Sequence, residues 1–339
     1  MAKRVAEEMV AKGLTVCVVC QQHDKSLMKF ENINGVDVVR ASVVLRVANG
    51  LISASFPFLV YRYARRARLL HLHLPMLESG LISFMSSTPK LLTYQCDFVS
   101  EKSFLGKIIE IIMDRSCRFA LKRSKSSVVS SRDYADYSRI KSGLIDSIAI
   151  APPLQIRQLS KPSFRKSSGF HYGFLGRIAA EKGLENLVAA FTFAANPEDQ
   201  LLIAGSPVSS EGQEIYKRLE ASSNSDSRID LLGFVPEDDV ADFYASIDAF
   251  IFPSINALEA FGIAQAEAKA LGIPLVTSDL PGVRTVVDSS DVGVLVRPND
   301  IAALTVGMKE VRNITKKSPR AVSSTSMQKY SDLILQLLK

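Results

Sequence analysis

The sequence predicts two doubly wound α/β domains on one chain, and three observations carry that prediction. Short apolar runs of strand length alternate with segments of helical period, a pattern that builds parallel sheets covered on both faces. At 339 residues the chain is too long for one ordinary domain and comfortable for two of ~150 residues each. The stretch LQIRQLSKPSFRKSSG, residues 154–169, is polar, basic and without period, and it reads as the linker between them. Two domains so joined imply a cleft.

The elements follow in order. Val5, Met9 and Val10 recur at helical spacing and stop at Gly13, so a helix opens the chain. Leu14–Cys20 is expected to be a buried strand, followed by strands at Val36–Arg40, Leu69–Leu74, Lys90–Tyr94 and Ser126–Ser130, and Ile148–Pro153 finishes the first domain. Val47–Tyr61, bounded by Arg46 and Arg62, contains Asn49, Ser53, Ser55 and Pro57 and reads as a helix packed in a domain or resting at an interface. Phe104–Arg123 is a long amphipathic helix. Leu105, Ile108, Ile109, Ile112, Phe119 and Leu121 are apolar, whereas Lys107, Arg115, Arg118, Lys122 and Arg123 are basic. Such a helix suits either a domain helix with a solvated face or a membrane-surface element.

The second half is more regular. Strands are expected at Tyr172–Leu175, Leu201–Ala204, Ile229–Leu232, Ala249–Phe252, Leu275–Thr277 and Val292–Val296. Helices fall at Leu184–Ala195, Gln213–Ser222, Glu237–Ser246, Phe261–Leu271 and Ile301–Val311. Ligands of such sheets bind at the carboxyl ends of the strands. The resulting partition is residues 1–153, linker 154–169, residues 170–322, and a closing helix over 323–339 that packs back toward the first domain.

Composition narrows the function classes. A hydrophobic share of 47% with 22% charged residues is that of a globular chain with a packed core. Cys17, Cys20, Cys96 and Cys117 are too few and too scattered for a disulfide framework, which fits a reducing cytoplasm. Cys17 and Cys20 form a C-x-x-C without a second pair at zinc spacing, and read as strand-core residues. MAKRVAEEMVAKG has charges throughout and no signal-peptide core, and no run reaches the length of a membrane span. Residues 1–152 carry 22 Lys+Arg against 13 Asp+Glu, and the remainder 19 against 22. The basic half points to an anionic membrane surface or substrate, since no nucleic-acid recognition signature accompanies it.

The candidate chemistry sits in the second half. Leaving its first strand, Gly176-Arg177-Ile178-Ala179-Ala180-Glu181-Lys182-Gly183 offers two cations to a pyrophosphate, Arg177 through two donors and Lys182 as a point charge. Gly205 and Gly233, with Val235 just beyond, lie at the next strand ends, where the backbone can approach a planar base. In PSINALEAFGIAQAEAKALGIPLVTSDLPGV, Glu259 and Glu267 bracket the apparent start of a helix. The amides of Phe261, Gly262 and Ile263 would be free donors there, and a carboxylate accepts paired bonds from vicinal hydroxyls. The competing reading of the two glutamates as ordinary helix-surface residues stands on spacing alone.

GRIAAEKG, LLGFVPEDDVADFYASIDAFIFPS, EAFGIAQAEAKALGIPLVTSDLPGVRTVV and VGVLVRPND, in that order, resemble the retaining glycosyltransferases of GT-B type, family 4, over Gly173 to about Asn299. The resemblance implies two Rossmann-like domains facing across a cleft. It further implies a UDP- or GDP-sugar held by the second domain, and transfer of a hexose to a saccharide or polyprenyl-linked acceptor at the first. In the first half LLHLHLP and TYQCD look like the family's cleft-facing strand ends, giving His73 and Asp97 as candidates. Gln95 stands where relatives often carry His. By the same alignment the family's first strand and Gly-Gly loop are missing, so a catalytically weak or inactive glycosyltransferase-like subunit is the alternative. By resemblance Arg177 and Lys182 stabilise the departing diphosphate, Glu267 holds the ribose, and Glu259 with the nearby amides orients the sugar. No metal or cofactor is required, and no Asp-x-Asp is present. Cell-surface polysaccharide or lipopolysaccharide assembly at the inner face of the cytoplasmic membrane is the implied setting.

Overall fold

A computed structural model describes the chain apart from residues 48–49, 100–103, 156, 257, 289–291 and 319–324. Asn49 of the Val47–Tyr61 stretch, one residue of the expected linker and the boundary expected at 322–323 therefore lie outside the described residues. The chain divides into two compact units, Met1–Pro153 with Ser324–Lys339, and Leu154–Ser323.

The first unit opens with α1 (Ala2–Ala11), which ends before Gly13 at φ +83°. A three-stranded sheet follows, made of β1 (Cys17–Gln21), β2 (Phe30–Ile33) and β3 (Val36–Ala41) in the order β1-β3-β2. β1 runs parallel to β3, and β2 with β3 forms a hairpin. Its turn is Asn34-Gly35, both left-handed at φ +51° and +82°, the twist that matches a tight hairpin. β2 is not among the strands expected from the sequence. The CVVC run, expected to be strand core, is not: Cys17 is exposed and Cys20 half-buried. The reason is position, because among the described residues β1 pairs on one side only, with β3, whereas a central parallel strand is enclosed on both.

β4 (Leu45–Val47) and β5 (Gly50–Ile52) form an antiparallel pair, and α2 (Phe56–Ala64) comes after it. The helix expected across Val47–Tyr61 thus begins later, with Pro57 in its first turn, where a missing amide hydrogen costs nothing. Next come β6 (Leu70–Leu74), α3 (Ser79–Met85), β7 (Lys90–Tyr94), α4 (Phe104–Lys122), β8 (Ser126–Val129), α5 (Arg132–Tyr137) and β9 (Ile148–Ala149). Their four strands make one parallel sheet in sequence order, with helical crossovers between the first three strands.

The second unit contains β10 (His171–Leu175), α6 (Leu184–Ala194), β11 (Gln200–Ala204), α7 (Ser210–Ser225), β12 (Ile229–Gly233), α8 (Val240–Ser246), β13 (Ala249–Phe252), α9 (Ile263–Ala270), β14 (Leu275–Ser278), β15 (Gly293–Val296) and α10 (Ile301–Glu310). All six strands are parallel in the order β12-β11-β10-β13-β14-β15. The order reverses between β10 and β13, so the crevice of a doubly wound sheet opens at the carboxyl ends of those two strands. β11 shows why its sequence is uninterruptedly apolar: Leu201 and Ile203 enter one core, Leu202 and Ala204 the other. Ser209 and Asp300 cap α7 and α10 by accepting from Gly212 N and Ala303 N.

α11 (Thr325–Leu337) closes the chain within the first unit. Tyr330, Leu333, Ile334 and Leu337 pack in one cluster with Val5 and Met9 of α1, with Leu91 and Val128 of the parallel sheet and with Ile150 just beyond β9.

Candidate functional site

The loops leaving β10 and β13, the two strands at the switch point, meet directly. Gly183, left-handed at φ +65°, lies so close to Pro253 that a Cβ would stand 2.4 Å from its carbonyl oxygen. That contact seats Lys182, 7% exposed, beside the β13 loop. Its Nζ donates to Glu259 Oε2 and sits 5.4 Å over the ring of Phe252. The other carboxylate oxygen of Glu259 accepts from Gly262 N at 3.2 Å. One cation, one carboxylate and the start of α9 thus form a continuous chain of polar contacts.

The geometry corrects the helix start. α9 begins at Ile263, and Phe261 and Gly262 precede it. Gly262 is its cap at φ +79°, and a Cβ there would lie 2.7 Å from Gln265 Nε2 and 2.8 Å from Phe252 Cζ. The Gly262 amide, expected to be a free donor, is engaged by Glu259. The initial amides of α9 itself, beginning with Ile263, are the ones that the helix leaves unbonded. Gln265, fully buried, fixes this corner: its Nε2 donates to Phe261 O and Val283 O, and its Oε1 accepts from Thr277.

Three glycines line up across neighbouring strand ends. Gly205 N donates to Gly233 O at 2.7 Å, and a Cβ on Gly205 would stand 1.8 Å from Gly176 O. Val235, by contrast, turns its side chain into the core, leaving only its backbone for a ligand. The neighbouring Phe234 is 74% exposed just beyond β12. The sequence reading did not single it out, although an aromatic next to a strand-end glycine is a legible signal. Arg177 is solvent-exposed and pairs with Glu181 at 3.5 Å, so it is not held on the Lys182–Glu259 pair.

Glu267 is 6% exposed and fully engaged. Gln155 N donates to Oε1 at 3.1 Å, Arg157 Nη1 to Oε2 at 2.8 Å, and Tyr244 Oη to Oε2 at 3.4 Å. Arg157 also pairs with Glu237. Burial, with the Glu267 carboxylate adding to it, holds the Tyr244 phenol well above its ordinary range, so it remains a donor. Gln155 and Arg157 were missed because the segment carrying them looks like an unstructured linker.

His73 and Asp97 belong to the first unit. The Asp97 carboxylate accepts from Tyr94 Oη, Ser138 Oγ and Arg139 N, and its backbone amide donates to Tyr134 Oη. Its contacts make it the hub joining β7, α5 and the turn after α5. His73 stacks on His71 with ring centroids 4.4 Å apart, and its Nδ1 lies 3.2 Å from Gln95 Nε2. Burial lowers the His73 pKa to about 4, and burial with the neighbouring His73 lowers that of His71, so both rings are neutral at pH 7. No group of three His, Cys, Asp or Glu side chains among the described residues could hold a metal ion.

The profile of the family "Glycosyl transferases group 1" matches residues 156–326, just over half the chain. The chain belongs to the glycosyl transferases group 1 family. Relatives of this group 1 chain include an uncharacterised glycosyltransferase of Methanocaldococcus jannaschii, 29% identical over 44% of the chain and 39% of that protein. A phosphatidyl-myo-inositol mannosyltransferase of Mycobacterium leprae is 34% identical over 50% of the chain and 42% of its own length. The match therefore spans about two-fifths of each relative. Among solved structures, the sucrose-phosphate synthase of Thermosynechococcus elongatus superposes with a TM-score of 0.70 at 18% identity, over 99% of the chain and 92% of that structure. That likeness establishes the fold, GT-B, with two Rossmann-like parallel-sheet units.

Proposed function

We propose that the chain is a retaining family 4 hexosyltransferase that moves mannose, glucose or a similar sugar from a UDP- or GDP-sugar to a saccharide or lipid-linked acceptor. The observation that carries this reading is the Lys182–Glu259–Gly262 cluster at the switch point of a group 1 domain. Lys182, with Arg177 swinging in from solvent, meets the charge growing on the diphosphate oxygen as its bond to the anomeric carbon breaks. The acceptor hydroxyl oxygen bonds that carbon from the same face, and its proton passes to the departing phosphate. Glu259 and the first amides of α9 orient the sugar; the ribose hydroxyls replace Gln155 N and Arg157 on Glu267. Gly176, Gly205 and Gly233 leave the backbone open to the nucleotide, and no metal or cofactor is required. The mannosyltransferase relative supports a hexose donor, and the basic first half an acceptor at the inner face of the cytoplasmic membrane, in polysaccharide or lipopolysaccharide assembly.

Isothermal titration with UDP- and GDP-sugars on the wild type, Arg177→Ala and Glu267→Ala tests the reading. Both variants should lose affinity, and unchanged binding in both would refute it. A second reading, a glycosyltransferase-like subunit with little turnover, is favoured by two observations. Gln95 is hydrogen-bonded to His73, and the Asp97 carboxylate is occupied by structural donors. Donor hydrolysis and transfer assays on the purified chain separate the two, since this subunit would bind donor without consuming it.

A further inference from the structure

α4 carries its apolar stripe on the wrong side for a helix that only packs against its own domain. Gly106, Met113, Cys117 and Ala120 face inward and are buried. On the opposite face, at the i, i+4, i+7, i+8 and i+15 positions of one helical stripe, stand Phe104, Ile108, Ile111, Ile112 and Phe119. All five are exposed, Phe104 by 82%. The neighbouring α3 packs tightly on α4, with Gly80 N donating to Ser116 Oγ at 2.8 Å, and extends the same surface. Leu77, just ahead of α3, and Leu81 and Phe84 on it are exposed, Phe84 by 68%. Large side chains from two adjoining helices therefore face water together, which scattered surface apolar residues do not do.

The charges around this surface choose its partner. Lys107, Arg115 and Lys122 are exposed along the same helix, Arg115 within the apolar stripe, and exposed Arg123 lies 5.4 Å over the ring of Phe119. The acids of α4, Glu110 and Asp114, are only half-exposed, and Asp114 is paired with Arg139. Apolar side chains set among cations that make no ion pair among the described residues fit a surface that is anionic outside and hydrocarbon beneath.

We infer that the outer face of α3 and α4 is a membrane-docking surface that inserts Phe84, Phe104, Ile108, Ile111 and Ile112 between anionic lipid headgroups. The inference deepens the acceptor reading above by giving the lipid surface a defined landing face. It explains why a helix with a well-packed inner face retains isoleucine and phenylalanine on its outer one.

Flotation of the full chain tests it, with vesicles of phosphatidylcholine alone and of phosphatidylcholine mixed with phosphatidylglycerol. The wild type should float with the mixed vesicles and not with the neutral ones. Phe84→Ser/Ile111→Ser should lower the bound fraction roughly tenfold, as expected for removing inserted apolar area. Lys107→Glu/Lys122→Glu should abolish the preference for anionic lipid. Circular dichroism and UDP and GDP titration on the same preparations report that each variant is folded. Wild type that floats with neither vesicle overturns the inference, as does the apolar variant floating equally well. Light scattering that shows a wild-type dimer and a monomeric Phe84→Ser/Ile111→Ser variant overturns it as well, assigning the face to a second copy. Absence of nucleotide binding in every folded preparation would count against the donor reading and leave the lipid result standing.

Discussion

Lys182 and Arg157 are the two side chains on which the candidate site turns, and both are cations set on carboxylates. On the proposed reading Lys182→Ala removes the cation offered to the diphosphate, and should weaken UDP or GDP binding by about 1.5–3 kcal/mol, the worth of a hydrogen bond to a charged group. Titration calorimetry on the folded variant measures it. Arg157→Ala leaves Glu267 buried without its counter-ion, which costs about 3–5 kcal/mol of stability in the second unit, measured by urea unfolding. Arg157→Lys should recover part of it. In the first unit the linkage sign is fixed by histidines whose pKa values are lowered on folding. Such groups are neutral when folded and bind protons when unfolded, so their contribution is intact above pH 6.5 and lost as pH falls toward about 4. Because His73 is only half-buried, the loss between pH 7 and pH 5 should be of the order of 1–2 kcal/mol, read from the urea midpoint of wild type against His73→Asn. The glutamates and Lys182 were singled out as candidates by residue type together with the family resemblance of the motifs that carry them, since spacing alone does not distinguish the glutamates from helix-surface residues. The bond between Lys182 and Glu259 was not legible, because they are far apart in sequence and meet where the two loops touch, through the Gly183–Pro253 approach and the Ile255 N to Glu181 O hydrogen bond.

Among the elements, α9 shows how local sequence and local geometry divide the work. Its apolar period located the helix, whereas its first residue depended on Gly262 taking a left-handed conformation that turns the chain into the helix. Gly262→Ala forces a Cβ into Phe252 and Gln265 at positive φ, and should both destabilise the second unit by about 1–3 kcal/mol and weaken sugar-nucleotide binding. Thermal unfolding with and without UDP-sugar separates the two losses. The elements of the second unit were readable because its strands are short, largely apolar runs that alternate with helical segments, one of them, α9, closed by Gly272 and Pro274. Those of the first unit were less so. The β2–β3 hairpin announces itself only through Asn34-Gly35, and β1 was expected to be core because CVVC is apolar, a property that does not report how many strands flank it.

For the whole molecule, the testable consequence of the chain path is that its last helix stabilises the unit containing its first. Deleting residues 325–339 exposes the partners of Tyr330, Leu333, Ile334 and Leu337 and removes four buried side chains, each worth about 1.5–3 kcal/mol. The first unit should then unfold early, while binding of nucleotide by the second persists, as differential scanning calorimetry with added UDP would show. By itself, the sequence determined two α/β units, a parallel six-stranded second unit and the segments that hold the donor candidates, because apolar period and glycine turns are local properties written along the chain. Only the tertiary structure decided that Glu267 is sealed by Gln155 and Arg157, that Asp97 is tied down by Tyr94 and Ser138, and that α4 turns isoleucines to solvent. Each of these depends on which distant residues share one small volume, and burial and pairing are set by that neighbourhood rather than by sequence distance.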